Sequence, residues 1–297
     1  WDAFRRVHFR RAGKLTWEEL AGQLQAQEQV LCVVNRRKAA QTVFHKLAGE
    51  GNFHLSTLMV PAHRKAVLAE IRQRLLDRKP CRVVSTSLIE AGVDVDFPAV
   101  YREEAGLDSI LQAAGRCNRE GDRPADDSLV TIFQGEGRVP SLFETAVGAG
   151  RSVLERYEDI TSREAVHAYF SMLLDLKGKE AQDTQHILPL MDAELFPFRT
   201  VSERFHLIDS PTVTVYVPRD EGAELAEHLR AGERSRDLYR QLGQYGVSVY
   251  PQHLEALDRA GALERLEDGS VILTDLTLYS ESTGLSLDAD NGKGLFV

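Results

Sequence analysis

Short apolar runs alternate with stretches of helical spacing through the first half of the chain. Val30-Leu31-Cys32-Val33-Val34 is continuous and β-branched, the pattern of a strand buried on both faces of a parallel sheet. It ends in Asn35-Arg36-Arg37-Lys38. Ala39, Ala40, Val43, Phe44 and Leu47 then recur at helical spacing up to Gly49. The alternation repeats: His54 to Met59 predicts a strand, and Pro61 with Arg64 to Leu76 a helix. Arg82 to Ser85, Ala99 to Arg102 and Leu129 to Phe133 predict three more strands. Upstream, Arg5 to Phe9 reads as a strand, and Thr16-Trp17-Glu18-Glu19 as a capping-box-like start of a helix reaching about Gln27. Such alternation predicts an α/β fold built on a parallel sheet flanked by helices. Ligands bind such sheets at loops leaving the carboxyl ends of the strands. The candidate loops are Asn35–Lys38, Met59–Arg64, Ser85–Asp94 and the region entering Leu111–Arg119.

The pattern changes after Gly150. Residues 151–177 read as two helices broken near Thr161-Ser162, followed by a polar stretch, Lys177–Gln185. Thr212–Val217, Val247–Tyr250 and Ser270–Leu273 predict strands; Glu221–Ala231, Ser235–Gly243 and His253–Ala260 predict helices. Asp275 to Leu287 is loop-rich. The expected division is an α/β domain at 1–150, linker helices at 151–199 and a small α+β C-terminal domain at 200–297.

The 297 residues have room for two domains. No apolar run approaches the roughly 20 residues of a membrane span, and the first residue, Trp1, suggests a piece of a longer chain. Cys32, Cys81 and Cys117 have no CxxC spacing, so reduced thiols and a cytoplasmic location are expected. A net charge of −9 argues against a polyanion partner until it is divided. Residues 1–150 carry 21 Lys and Arg against 19 Asp and Glu, whereas residues 151–297 carry 15 against 26. Any polyanion site belongs to the first half, and the acidic second half is poorly suited to bind DNA itself.

Two stretches carry candidate chemistry. In Gln112-Ala113-Ala114-Gly115-Arg116-Cys117-Asn118-Arg119 a continuous helix would put both arginines on one face, with Gln112 beside them. Gly115 would leave a flat patch there. Such a fork of permanent cations suits a phosphate clamp, or an ordinary surface helix with salt bridges. Ser85-Thr86-Ser87, with Gly92, Asp94 and Asp96, follows a buried strand. Hydroxyls and amides placed there can hold a phosphate, or simply cap a βα loop. The two stretches lie in one sheet, and together they favour phosphate chemistry.

These residues resemble a known family. Thr86-x5-Gly92-x-Asp94 followed by Gln112-x-x-Gly115-Arg116-x-x-Arg119 resembles motifs V and VI of superfamily 2 helicases, and Val33-Val34-Asn35 with Arg36 and Arg37 their motif IV region. STSLIEAGVDVDF and DSILQAAGRCNREG resemble more narrowly the type I CRISPR-associated helicase–nuclease recruited by the Cascade surveillance complex. Met59 to Arg64 fits the same family, and LYRQLGQYGVSVY and Tyr279–Leu287 look like its C-terminal domain.

The resemblance implies a second RecA-like lobe followed by the C-terminal domain. Arg116 and Arg119 would be arginine fingers reaching the γ-phosphate of ATP, with Gln112 bonding nearby. Gly92, Asp94 and Gly115 would line the ATP side. Ser85 and Thr86, with Asn35, Arg36 and Arg64, would face single-stranded DNA, although Arg36 and Arg37 also read as plain surface charge. The expected partners are a first RecA-like lobe, which would hold most of the ATP and Mg site, an HD nuclease domain and the Cascade complex; no membrane is implied. One departure is Asn118, where many superfamily members have Gly. No GxxxxGK[ST] or DExH box is present, and none of the nine histidines precedes Asp, so the nuclease centre and its divalent metal are not expected in this segment. The chain alone is therefore expected to be inactive. The alternatives are another superfamily 2 DNA or RNA helicase lobe, or a non-catalytic helicase-like scaffold for a protein partner.

Overall fold

The apolar runs form one six-stranded sheet. The computed structural model describes residues 6–90, 92–178, 183–192, 195–205 and 212–286. Arg5, residues 179–182 and Leu287, which fall in predicted stretches, lie outside the described residues. The strands are β1 (His8–Lys14), β2 (Gln29–Val33), β3 (Asn52–Leu55), β4 (Cys81–Ser85), β5 (Ala99–Glu103) and β6 (Leu129–Gln134). Between them run α1 (Trp17–Gln25), α2 (Arg37–His45), α3 (Pro61–Leu76) and α4 (Leu107–Ala114). The strands are all parallel in the order β1-β6-β5-β2-β4-β3. The expected RecA-like parallel sheet is therefore present.

Local chemistry explains several boundaries. Thr16 closes a complete capping box: its hydroxyl accepts from the Glu19 amide at 3.1 Å, and the Glu19 carboxylate accepts from the Thr16 amide at 2.8 Å. Pro61 occupies the first turn of α3, where its missing N–H costs nothing. One face of the sheet packs on Leu20, Leu24, Ala40 and Val43 from α1 and α2, with Val30, Cys32, Val84 and Phe133 from the strands. Burial leaves the three cysteines as free thiols and raises each above its ordinary range, Cys81 and Cys117 to about 12.

The chain divides into two compact units. One contains residues 104–111 and 137–205 and is helical: α5 (Ser141–Arg156), α6 (Arg163–Lys177), α7 (Leu188–Met191) and α8 (Phe198–Arg204). The break before α6 falls where Ser162 caps it, accepting from the Ala165 amide at 3.2 Å. Tyr169 donates to Asp108 at 2.6 Å inside this unit.

The other unit contains residues 6–103, 112–136 and 212–286. Its C-terminal segment adds β7 (Val213–Tyr216), α9 (Glu221–Arg230), α10 (Arg236–Leu242), β8 (Gly246–Val249), α11 (Pro251–Arg259), β9 (Leu263–Arg265), β10 (Val271–Leu273), β11 (Tyr279–Ser280) and β12 (Gly284–Leu285). Four of these strands form a mixed sheet, β8-β7-β10-β9. Its core, with Val215, Val247, Leu257 and Leu273, incorporates Leu58 and Val60 from the loop after β3. Leu285 donates to the Leu58 carbonyl at 2.8 Å. Gly284 is required there: its φ is +76°, and a Cβ would lie 2.4 Å from that carbonyl oxygen. Among the described residues no helix is long and apolar enough to cross a membrane.

Candidate functional site

Helix α4 stops at Ala114, so Arg116 and Arg119 do not share a helical face with Gln112. The expectation of one continuous helix is corrected by a non-local bond. Gly115 and Arg116 form a turn, and Cys117 pairs with Phe97 in an isolated parallel bridge. The Phe97 amide donates to the Arg116 carbonyl and the Asn118 amide to the Phe97 carbonyl, both at 2.9 Å. Asn118 then takes φ +46°, a left-handed conformation that asparagine tolerates better than most residues. This accounts for the departure noted at this position. Asn118 is fully buried, its side-chain nitrogen donating to the Arg6 and Arg123 carbonyls at 2.8 Å and its side-chain oxygen accepting from the Arg123 amide at 3.1 Å. The arginines converge because the chain folds back on the loop before β5.

That loop supplies their partners. Arg116, buried to 8% exposure, donates from Nε to the Ile89 carbonyl at 3.1 Å and from a terminal nitrogen to the Glu90 carbonyl at 2.6 Å. Burial and the nearby Arg119 pull its pKa down, while Asp94 and Glu90 pull it back up; the guanidinium stays charged. Arg119 is half-exposed, 3.0 Å from Asp94, with its amide bonded to Asp96 at 2.7 Å. Arg123 binds the same Asp96 at 2.7 Å. Gly92 is exposed with φ +71° and no atom within 4 Å of a built Cβ, so it is needed for the turn and leaves the surface open. Gln112 is exposed on α4 and Gly115 half-buried behind it.

The residues expected on the DNA side are more heavily committed. Ser85 is fully buried, its hydroxyl lying against the Leu55 and Thr86 carbonyls at 3.1 and 2.8 Å, so it presents nothing to solvent. Thr86 is buried at the start of the turn Ser87–Ile89. Asn35 is half-buried; its amide donates to Glu103 at 2.7 Å and its side-chain oxygen accepts from Arg102 at 2.8 Å. Arg36 donates to the Glu136 carbonyl. Arg37 lies over the Tyr250 ring at 5.2 Å. Neither is a freely solvated charge. Arg64 donates to its own Met59 carbonyl at 2.5 Å, and burial lowers its pKa. Next to it, Tyr279 accepts from the Val60 amide at 3.0 Å, touches His63 at 3.0 Å and lies under Arg219 at 5.2 Å.

Arg102 and Glu90 escaped the reading of the motifs. Arg102, 2% exposed near the end of β5, pairs with Glu90 at 3.1 Å. The signal was present as two charged residues, Arg102-Glu103, buried at the end of an otherwise apolar strand. Chemically, the face sets the two guanidiniums of Arg116 and Arg119 beside a glycine turn, a cationic arrangement that suits the outer oxygens of a polyphosphate. Among the described residues no cluster of three or more His, Cys, Asp or Glu could hold a metal ion.

Known proteins resemble this chain. Residues 26–122 match the family model described as CRISPR-associated nuclease/helicase Cas3, C-terminal. The CRISPR-associated nuclease/helicase Cas3 of Haloferax volcanii is 44% identical over an alignment covering 79% of this chain and 30% of that protein. The crystal structure of T. fusca Cas3-ATP has the same fold, with TM-score 0.60 and 16% identity over 94% of this chain and 40% of that one. A CRISPR RNA-guided surveillance complex, pre-nicking, contains a chain of similar fold, with TM-score 0.52 and 14% identity over 94% of this chain and 43% of that one. The chain spans less than a third of the length of the curated relatives it matches. Motifs, family model and fold all liken this chain to the C-terminal part of the CRISPR-associated nuclease/helicase Cas3.

Proposed function

We propose that this chain is the C-terminal part of an ATP-dependent single-stranded DNA translocase that unwinds foreign DNA for degradation in type I CRISPR interference. The observation that carries this reading is the convergence of Arg116 and Arg119 on the Ile89–Asp94 turn. In this role both guanidiniums neutralise charge developing on the γ-phosphate of an ATP held with Mg by a first RecA-like lobe. Such fingers are worth about 10³–10⁵ in rate. Gln112, Gly92, Asp94 and Gly115 complete the nucleotide side.

Arg119 reaches the nucleotide by exchanging the exposed Asp94 for phosphate, a surface pair that costs little to break. Asn35, Arg36, Arg64 and Thr86 line the path of the strand's phosphates, and the charge balance of the two halves supports that placement. Ser85 acts by fixing the turn from beneath. The similar chain within a surveillance complex supports docking to the Cascade complex.

The test is reconstitution. ATP hydrolysis stimulated by single-stranded DNA is expected when this chain is mixed with the first lobe, and from neither part alone. Turnover by residues 1–297 alone would overturn the division of labour. Absence of any nucleotide-dependent closure with the first lobe would favour a scaffold.

A further inference from the structure

A guanidinium buried near the end of a strand is costly unless it is hydrogen-bonded and paired with an opposite charge. Arg102 is hydrogen-bonded toward one loop and ion-paired toward another. Toward the loop after β2 it donates to the Asn35 side-chain oxygen at 2.8 Å. Toward the loop after β4 its Nε lies 3.1 Å from the Glu90 carboxylate, both side chains almost fully buried at 2% and 6% exposure. A bond to the Glu103 carbonyl at 2.8 Å fixes the head between them, and the Glu103 carboxylate receives the Asn35 amide at 2.7 Å. The backbone of Glu90 is in turn what Arg116 grips, at 2.6 Å. An unbroken path, Asn35–Arg102–Glu90–Arg116, thus joins the DNA-side candidate to the phosphate-side candidate, with no link longer than 3.1 Å.

We propose that Arg102 and Glu90 are positioning residues that set the Arg116 guanidinium according to what Asn35 binds, so that engagement of a nucleic-acid strand is felt at the γ-phosphate. This rests on the reading of Arg116 as a phosphate-directed cation. Apolar residues of similar volume would fill the same space at equal or better stability, so packing alone does not call for a buried ion pair. Neither residue touches nucleotide or DNA; each acts through a neighbour.

The experiment uses the complete enzyme, this chain assembled with the nucleotide-holding lobe. It compares Arg102→Lys, the double replacement Arg102→Met with Glu90→Met, and Arg116→Ala as control. ATP turnover is measured with and without poly-dT, together with KM for ATP, DNA affinity and the melting temperature. The double variant is expected to melt near the unaltered protein yet lose about tenfold or more in DNA-stimulated kcat, with KM and DNA affinity within about twofold, as for a catalytic group displaced by about an ångström. Arg102→Lys keeps the charge but loses the planar fork needed to serve Asn35, Glu103 and Glu90 together, and should lose stimulation likewise. Full stimulation in a folded double variant, or in Arg102→Lys, would overturn the proposal. If the double variant melts early, Arg102→Lys decides by the same criterion. Normal turnover in Arg116→Ala would remove the finger reading itself, whereas inactive Arg116→Ala with fully stimulated pair variants would refute only the positioning role.

Discussion

Two arginine–carboxylate pairs in this chain have nearly the same length and different physics. Arg102–Glu90 is separated by 3.1 Å and Arg119–Asp94 by 3.0 Å. The first is almost fully buried, while in the second the side chains are 37% and 74% exposed. Distance therefore does not rank them; desolvation does. The buried pair is held by bonds to Asn35 and Glu103 and cannot lose a member without stranding a charge. The exposed pair is a screened contact that can be exchanged for another anion. A rigid link behind a releasable cation is the combination that the proposed phosphate-directed role of this turn requires.

The largest effect expected from breaking this contrast is in stability. Glu90→Ala leaves Arg102 buried and unpaired, and should cost about 3–5 kcal/mol in urea unfolding. A loss below about 1 kcal/mol would mean that water reaches the pair and that the contrast fails.

Burial on the same sheet can also be read by pH, without touching either pair. His54 on β3 is 1% exposed, and desolvation, aided by His45 and His63, pushes its pKa down to about 3. Between the ordinary histidine value and about 3, the unfolded chain binds a proton that the folded chain refuses. Stability is therefore full above about pH 6.5 and falls on acidification, by up to about 1.4 kcal/mol per pH unit from this group. His63 and His253, also lowered by burial, add in the same direction. Urea midpoints at pH 7 and pH 5 check this, and His54→Gln should flatten the slope.

The turn that carries the exposed cation should show an intermediate effect. Asn118→Gly preserves φ +46° but loses three buried bonds, costing about 1–3 kcal/mol. Asn118→Ala adds left-handed strain of about 1–2 kcal/mol. Thermal melts of the two variants separate bonding from backbone conformation, and equal losses would contradict the left-handed assignment.

The smallest effect belongs to the exposed pair. Asp94→Asn should change stability by less than about 1 kcal/mol, and 0.5 M salt should remove most of that.

Much of the fold could be read from local pattern. The apolar runs become strands β2, β4, β5 and β6, the Thr16 box starts α1, and the break at Ser162 separates α5 from α6, whereas the run His54–Met59 is strand only to Leu55 and then leaves as a loop that packs on the C-terminal sheet. The site was legible as a set of residues and not as a geometry. Helical spacing put Arg116 and Arg119 on one face, but Phe97, about twenty positions earlier, captures the backbone on both sides of Cys117 and ends the helix. Arg37 and Val60 are engaged by Ser248 and Tyr279, partners 211 and 219 residues away, which no local window could anticipate. Arg102 was hidden for the same reason, since its partners come from two other strand ends.

The most direct measurement is single-stranded-DNA-stimulated ATP turnover by the complete enzyme carrying Arg116→Ala, with DNA affinity measured on the same preparation. The account predicts a fall in turnover of about 10³-fold or more with DNA affinity nearly unchanged. Turnover within a few-fold of the unaltered enzyme would contradict it.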